Sequence, residues 1–194
     1  SNIPAVKIAD SVTCIQSYAF SSCNNLESVE FGTGISDFGF FGSYGIFAPC
    51  GNLKEITIPP AVENLAAYMF EGSPIETITF HEGLKQIKSY DFTYCPITDI
   101  TFPTSLESIG HHNFYSLETA RVTNRTPDGL ISCMSRLWNP NDRDASHHPA
   151  FKDLLYTIII TENGEETTLH IPRYLGTCDA TELDAFLSNF SCNL

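Results

Sequence analysis

The chain has 194 residues, 42% of them hydrophobic, which is enough for one domain with a packed core. Its net charge is −13, from 23 acidic against 10 basic residues. That balance argues against nucleic acid and against anionic membrane surfaces, which both reward Lys/Arg clusters, and no apolar run approaches the ~18–20 residues of a membrane span.

Ser1-Asn2-Ile3-Pro4 carries no signal segment and reads as a processed or engineered start. From there a phrase recurs with a period of roughly 22 residues. It opens on an apolar–x–apolar pair: Val6/Ile8, Val29/Phe31, Ile56/Ile58, Ile78/Phe80, Ile100/Phe102 and a degraded Ala120/Val122. A second apolar step follows: Val12/Ile15, Ile35/Phe38, Val62/Leu65, Leu84/Ile87 and Leu106/Ile109. Then comes a phenylalanine: Phe20, Phe47, Phe70, Phe92 or Phe114. Three residues later stands Cys23, Cys50, Ser73, Cys95 or Leu117. Leu26, Leu53, Ile75 and Ile97 lead into the next strand, and Pro59 and Pro103 close two strands.

The Phe-to-Phe steps are 27, 23, 22 and 22 residues. The long step holds a glycine-rich bulge, Gly39 to Ile46, which one coil can extrude without disturbing its neighbours. Phe40, Phe41 and Tyr44 in that bulge, beside Phe38 and Phe47, form a candidate aromatic contact patch, or else fold back over the edge of the coil.

A period in this range specifies a solenoid, because one coil cannot enclose a core and must bury its apolar columns against the next. The short runs 27–31, 54–58, 76–80, 98–102 and 118–122 alternate with period two and are rich in Ile, Thr and Phe, as half-buried strands are. Successive coils bring them side by side in parallel, about 4.8 Å apart. The opposite side of each coil is expected to be extended or turn-like.

Ile56-Thr57-Ile58-Pro59, Val62-x-x-Leu65, Phe70 and the Cys column resemble the BspA-type leucine-rich repeat. The usual Ile-Gly-x-x-Ala-Phe step is kept only in part, as Tyr18-Ala19-Phe20 and as Ile109-Gly110. The resemblance implies a right-handed leucine-rich repeat solenoid with a parallel β ladder and little helix, five repeats of about 22–27 residues over 3–122. It also implies an extracellular or cell-surface location of bacterial type, with an export signal or lipid anchor in the full-length protein.

The repeat fails after Val122. Residues 123–153 are polar and proline-bearing, with a long irregular stretch of the kind that is functional or mobile. Leu155–Thr161 and Thr167–Pro172 flank Asn163-Gly164, the strongest short hairpin signal. Leu169-x-Ile171-Pro172 repeats the opening phrase and is expected to re-enter the ladder as a last rung. Asp179 and Glu182 then mark a helix start, and Leu183, Phe186, Leu187 and Phe190 share one helical face. That helix is expected to cap the solenoid, so 123–194 packs on the repeats as one domain.

No residue pattern supports catalysis or a cofactor. No nucleophile elbow, phosphate loop or His-Glu-x-x-His occurs. His111-His112 and His147-His148 read as solvated pairs, since adjacent residues on a strand point to opposite faces. Asn141-Asp142-Arg143-Asp144 lacks the glycine and distal glutamate of a calcium loop. No Cys-x-x-Cys spacing points to zinc. Cys23, Cys50 and Cys95 share a column with Ser73 and read as small, reduced core residues. Cys14, Cys133, Cys178 and Cys192 lie off it, and a bridge between Cys178 and Cys192, or from either to Cys133, stays open.

The candidate binding surface is the outward strand face. One column holds Lys7, Glu30, Thr57, Thr79, Thr101 and Arg121; the other holds Ser28, Glu55, Thr77, Asp99 and Thr119. Solenoids use such extended faces for binding, although Thr also suits any solvent-side strand position. The expected function is a non-enzymatic module for protein–protein interaction or adhesion, with a host matrix protein or another surface protein as ligand. Two alternatives are a structural spacer within a larger surface protein and a carbohydrate-binding module. The oligomeric state is not written in these residues.

Overall fold

The computed structural model describes residues 3–39, 45–110, 113–123 and 155–172. They form a β-solenoid of about five turns. The principal ladder contains β1 (Ala5–Lys7), β2 (Ser28–Glu30), β3 (Glu55–Thr57), β4 (Thr77–Thr79), β6 (Asp99–Phe102) and β8 (Thr119–Thr123). Among the described residues there is no helix.

The register follows the sequence phrase. Val6 lies beside Val29, Ile56 beside Ile78, and Ile100 beside Ala120, all in parallel pairs. β3 and β4 bury their middle side chain and expose the flanking two, and β1 and β2 half-bury theirs, as period-two alternation requires. A second, shorter parallel ladder forms at the end of the second apolar step. There β5 (Gln86–Ile87) pairs with β7 (Ser108–Ile109), with single bridges from Cys14 to Asp37 and from Asn64 to Gln86.

Parallel stacking at the rung spacing places like side chains over one another. The phenylalanine column becomes a ring stack, with centroids 5.2 Å apart for Phe20/Phe47, 5.4 Å for Phe47/Phe70, 5.3 Å for Phe70/Phe92 and 5.0 Å for Phe92/Phe114. The planes of these pairs lie within 15° of parallel. Phe31, Phe80 and Phe102 meet the stack edge-on at 84°, 75° and 74°. Such aromatic pairs contribute about 0.5–1.5 kcal/mol each beyond the area they bury.

Backbone that turns this tightly around the stack leaves the usual helical and extended regions. Two residues before the Phe, Tyr18, Gly45, Tyr68 and Tyr90 have φ of 60°, 58°, 59° and 67°. A left-handed residue with a Cβ costs roughly 1–2 kcal/mol. The burial of the next-but-one Phe offsets it, together with rung-to-rung bonds such as Phe47 N–H to Met69 O at 2.9 Å. Gly45 answers a further demand, because a Cβ there would lie 3.2 Å from the Tyr18 ring.

The hairpin pairs as expected but enters the sheet the other way round. β9 (Leu155–Glu162) and β10 (Glu165–Pro172) are antiparallel about Asn163 and Gly164, whose φ values of 51° and 83° suit a turn with two left-handed residues. It is β9, not the Leu169-x-Ile171-Pro172 strand, that extends the ladder: it runs parallel to β8, with Ala120 beside Ile158. Ile158 and Ile160 are the apolar pair that meets the core, and both are buried. β10 must then run backwards on the outer edge of β9, so its resemblance to the repeat phrase does not make it a rung. The capping helix and the aromatic residues Phe40, Phe41 and Tyr44 lie outside the described residues, as do both His-His pairs, Cys133, Cys178 and Cys192. Phe38 and Phe47, which flank the bulge, are core residues.

Candidate interaction surface

The strand face is built by side chains on either side of each buried apolar residue. One row aligns Ala5 with Ser28, Glu55 with Thr77, and Asp99 with Thr119 and then Thr157. The other aligns Lys7 with Glu30, Thr57 with Thr79, and Thr101 with Arg121 and then Ile159. All ten residues singled out from the sequence therefore lie on one face. Ser28, Glu30, Glu55, Thr57, Thr77, Thr79, Asp99 and Thr101 are exposed, while Thr119 and Arg121 are half-buried.

The charged members are not equivalent. Lys7 donates to Glu30 across the first two rungs, which raises the lysine pKa through that hydrogen bond and the carboxylate charge. Arg121 grips Asp99 with two nitrogens, Nε to Oδ1 at 3.3 Å and Nη2 to Oδ2 at 2.9 Å. Lys54–Glu76 at 3.1 Å and Lys85–Glu63 at 2.8 Å repeat the rung-to-rung pattern beside the face. Among the described residues Glu55 has no ion-pair partner. The two ends of the face thus neutralise themselves, and its middle is a patch of hydroxyls around one carboxylate: Thr57, Thr77, Thr79, Thr101 and Glu55.

The ladder also breaks beside that patch. β1 and β2 form one sheet and β3 and β4 another, without strand pairing between β2 and β3. The extra residues of the long second coil lie in this interval. An open hollow of about 560 Å³ lies along the starts of β2, β3 and β4, lined by Glu27, Asn52, Lys54, Glu55, Glu76 and Thr77. The face therefore carries a shallow recess in which Glu27, Glu55 and Glu76 outnumber Lys54.

Sequence reasoning missed the hairpin's share of the surface. Thr157 and Ile159 continue the two rows past the repeats, and Thr168 stands opposite Ile159 on β10. The alternation of 157–161 carries that signal, but the repeat phrase in Leu169-x-Ile171-Pro172 points to the other strand. Among the described residues no three His, Cys, Asp or Glu side chains converge as a metal site would require. Among the described residues no helix is long and apolar enough to cross a membrane.

A family model described as a BspA type leucine rich repeat region matches residues 1–121 in six copies. No curated protein matches the chain, and no solved structure does.

Proposed function

The chain belongs to the BspA type leucine-rich repeat family, a membership that points to a protein-interaction module, and from that premise we propose that the strand face binds an extracellular protein ligand. One observation carries the reading. The exposed hydroxyls of Thr57 and Thr79 are aligned in one row and Thr77 is aligned with Glu55 in the other, with Thr101 on the next strand, while the end charges are tied up within the face. Rows of short donors and acceptors on a rigid ladder lose little side-chain freedom on binding. The net charge of −13 and the acidic recess favour a partner that presents lysine or arginine, since complementary charge speeds encounter and excludes wrong partners. The role is adhesive and non-catalytic, and the location is the cell surface or its exterior.

The test is a binding panel of extracellular matrix and cell-surface proteins, with Glu55→Lys/Thr79→Lys as the altered face. These positions leave both ion pairs and the core untouched. A loss of affinity of about tenfold or more, equivalent to ~1.4 kcal/mol, is the expected outcome for a true ligand. Unchanged affinity excludes this face as the site. Binding to a glycan array, with none on the protein panel, transfers the function to carbohydrate recognition. Silence in both assays leaves the spacer role.

A further inference from the structure

We propose that Cys23 and Cys50 form a disulfide that staples the first coil to the second when the protein meets a small-molecule disulfide such as oxidised glutathione. This is a modification site outside the binding face and does not depend on that reading.

The geometry rests on the register of the phenylalanine turn. On one side of the pair, the rings of Phe20 and Phe47 stack 5.2 Å apart. On the other, a Cβ built on Gly51 would lie 3.5 Å from the Asn24 Cα. Cys23 and Cys50 sit between these fixed points, one above the other at the rung spacing of about 4.8 Å. A disulfide requires Cα atoms about 4.4–6.8 Å apart. A shared atom confirms the proximity: the Phe20 carbonyl oxygen accepts from the Cys50 thiol at 3.2 Å and from the Cys23 backbone N–H at 3.3 Å. The Cys50 sulfur thus points down into the rung that carries Cys23.

No other pair of described cysteines has this relationship. Ser73 occupies the rung between Cys50 and Cys95, which keeps those two sulfurs two coils apart. Cys14 lies in the second ladder, where it accepts from Gln16 Nε2 at 3.2 Å. Cys23 also differs from its column mates in its place in the stack. They donate to a Phe carbonyl one coil back, whereas Cys23 belongs to the first coil, and its side chain is half-buried.

That difference sets the order of the chemistry. Burial pushes the Cys50 thiol up to about 11, so the more accessible Cys23 reacts first. Its thiolate attacks one sulfur of the glutathione disulfide, breaks that S–S bond and expels one glutathione thiolate, which takes up a proton. Cys50 then gives up its proton and attacks the Cys23 sulfur of the mixed disulfide, expelling the second glutathione. Two protein thiols are oxidised to one disulfide, and one glutathione disulfide is reduced to two thiols. The bond closes the loop that contains the long second coil and its glycine-rich bulge.

The experiment incubates the whole chain with oxidised glutathione, alkylates remaining thiols under denaturing conditions, and maps the peptides by mass. The expected product is a Cys23–Cys50 linked peptide, lighter than its two free components by two hydrogens and released by dithiothreitol. The thermal midpoint is expected to rise on oxidation and to fall back on reduction. Cys50→Ser places in the column a residue that already serves there as Ser73, and it should stop at glutathione on Cys23. Cys23→Ser should abolish both the linked peptide and the thermal shift. Cys23 that stays a thiol in the wild-type chain, ends as a glutathione adduct, or links to another cysteine would overturn the proposal.

Discussion

The Ser73 hydroxyl donates to the Phe47 carbonyl at 2.7 Å and at the same time accepts the Cys50 backbone N–H at 2.8 Å. The small column is therefore more than a place where only small residues fit. Cys50 and Cys95 make the same backward bond to Phe20 O and Phe70 O, at 3.2 Å and 3.3 Å. Phe20 O and Phe70 O also accept the Cys23 and Ser73 backbone N–H groups at 3.3 Å and 2.9 Å, so the thiols add a second bond there, whereas at Phe47 O the Ser73 hydroxyl is the donor.

Ser73→Ala leaves the Phe47 carbonyl and the Cys50 N–H facing apolar surroundings. An unsatisfied buried group costs about 1–3 kcal/mol. The expected loss in unfolding free energy is about 2–6 kcal/mol when both groups are counted, read from urea denaturation. Ser73→Cys restores the donor and is expected to recover part of it. Equal stability for all three proteins would show that the column is selected by size alone.

Phe70 lies at the centre of the stack, between Phe47 at 5.4 Å and Phe92 at 5.3 Å, and it is fully buried. Phe70→Ala removes a ring from both neighbours and opens a cavity, for an expected cost of ~3–5 kcal/mol. Phe70→Leu keeps more of the volume and should cost less than the alanine variant. Circular dichroism melts of the two variants would rank them.

Asp91 is buried immediately before Phe92, and its oxygens accept the Met69 and Lys88 backbone N–H groups at 3.3 and 2.8 Å. Burial holds its carboxyl well above the usual carboxylate range, against the opposing pull of those two N–H groups and of the Lys88 charge. The folded chain therefore keeps this proton to higher pH than the unfolded chain does. Its contribution to stability is complete below the ordinary carboxylate value and is lost as pH rises through the raised folded value. Asn113 fills the same position one coil later, with Oδ1 on the Phe92 N–H and its amide on the Lys88 and Gly110 carbonyls. Asp91→Asn removes the titration and is expected to flatten the decline from acid to neutral pH, while its amide nitrogen cannot accept the second of the two N–H groups that Asp91 holds. Parallel slopes for the two proteins would contradict this.

Gly110 lies against the preceding coil, where its N–H bonds the Ile87 carbonyl at 2.7 Å. A Cβ there would lie 2.3 Å from the Ser89 nitrogen, backbone that cannot move aside independently. Gly110→Ala should push the fourth and fifth coils apart at a cost of about 1–3 kcal/mol, as overpacking does. Hydrogen exchange localised to residues 85–89 and 106–110 would report the separation.

Arg121→Ala and Asp99→Ala are each expected to leave the thermal midpoint unchanged, because exposed pairs are screened by water and salt. Ligand affinity is expected to respond more to Glu55 than to either of them. An effect of Arg121→Ala as large as that of Glu55→Lys would place the contact at the hairpin end of the face.

The amino-acid sequence determined the coil, its period and its inward columns, because a stacked fold repeats one local solution and periodicity writes that solution out openly. It also identified the outward rows, since alternation on a strand leaves no other face for Thr57, Thr79 and Thr101. Only the tertiary structure decided what depends on the neighbouring rung. The phrase in Leu169-x-Ile171 matched the repeat, yet β9 took the ladder position, because Ile158 and Ile160 seal the core and the hairpin then reverses the chain. Glu30 and Asp99 stand in the outward rows of the sequence, and the register is what sets Lys7 and Arg121 beside them. Cys50 and Ser73 looked interchangeable by size, and the preceding coil's carbonyls showed that they share a donor as well.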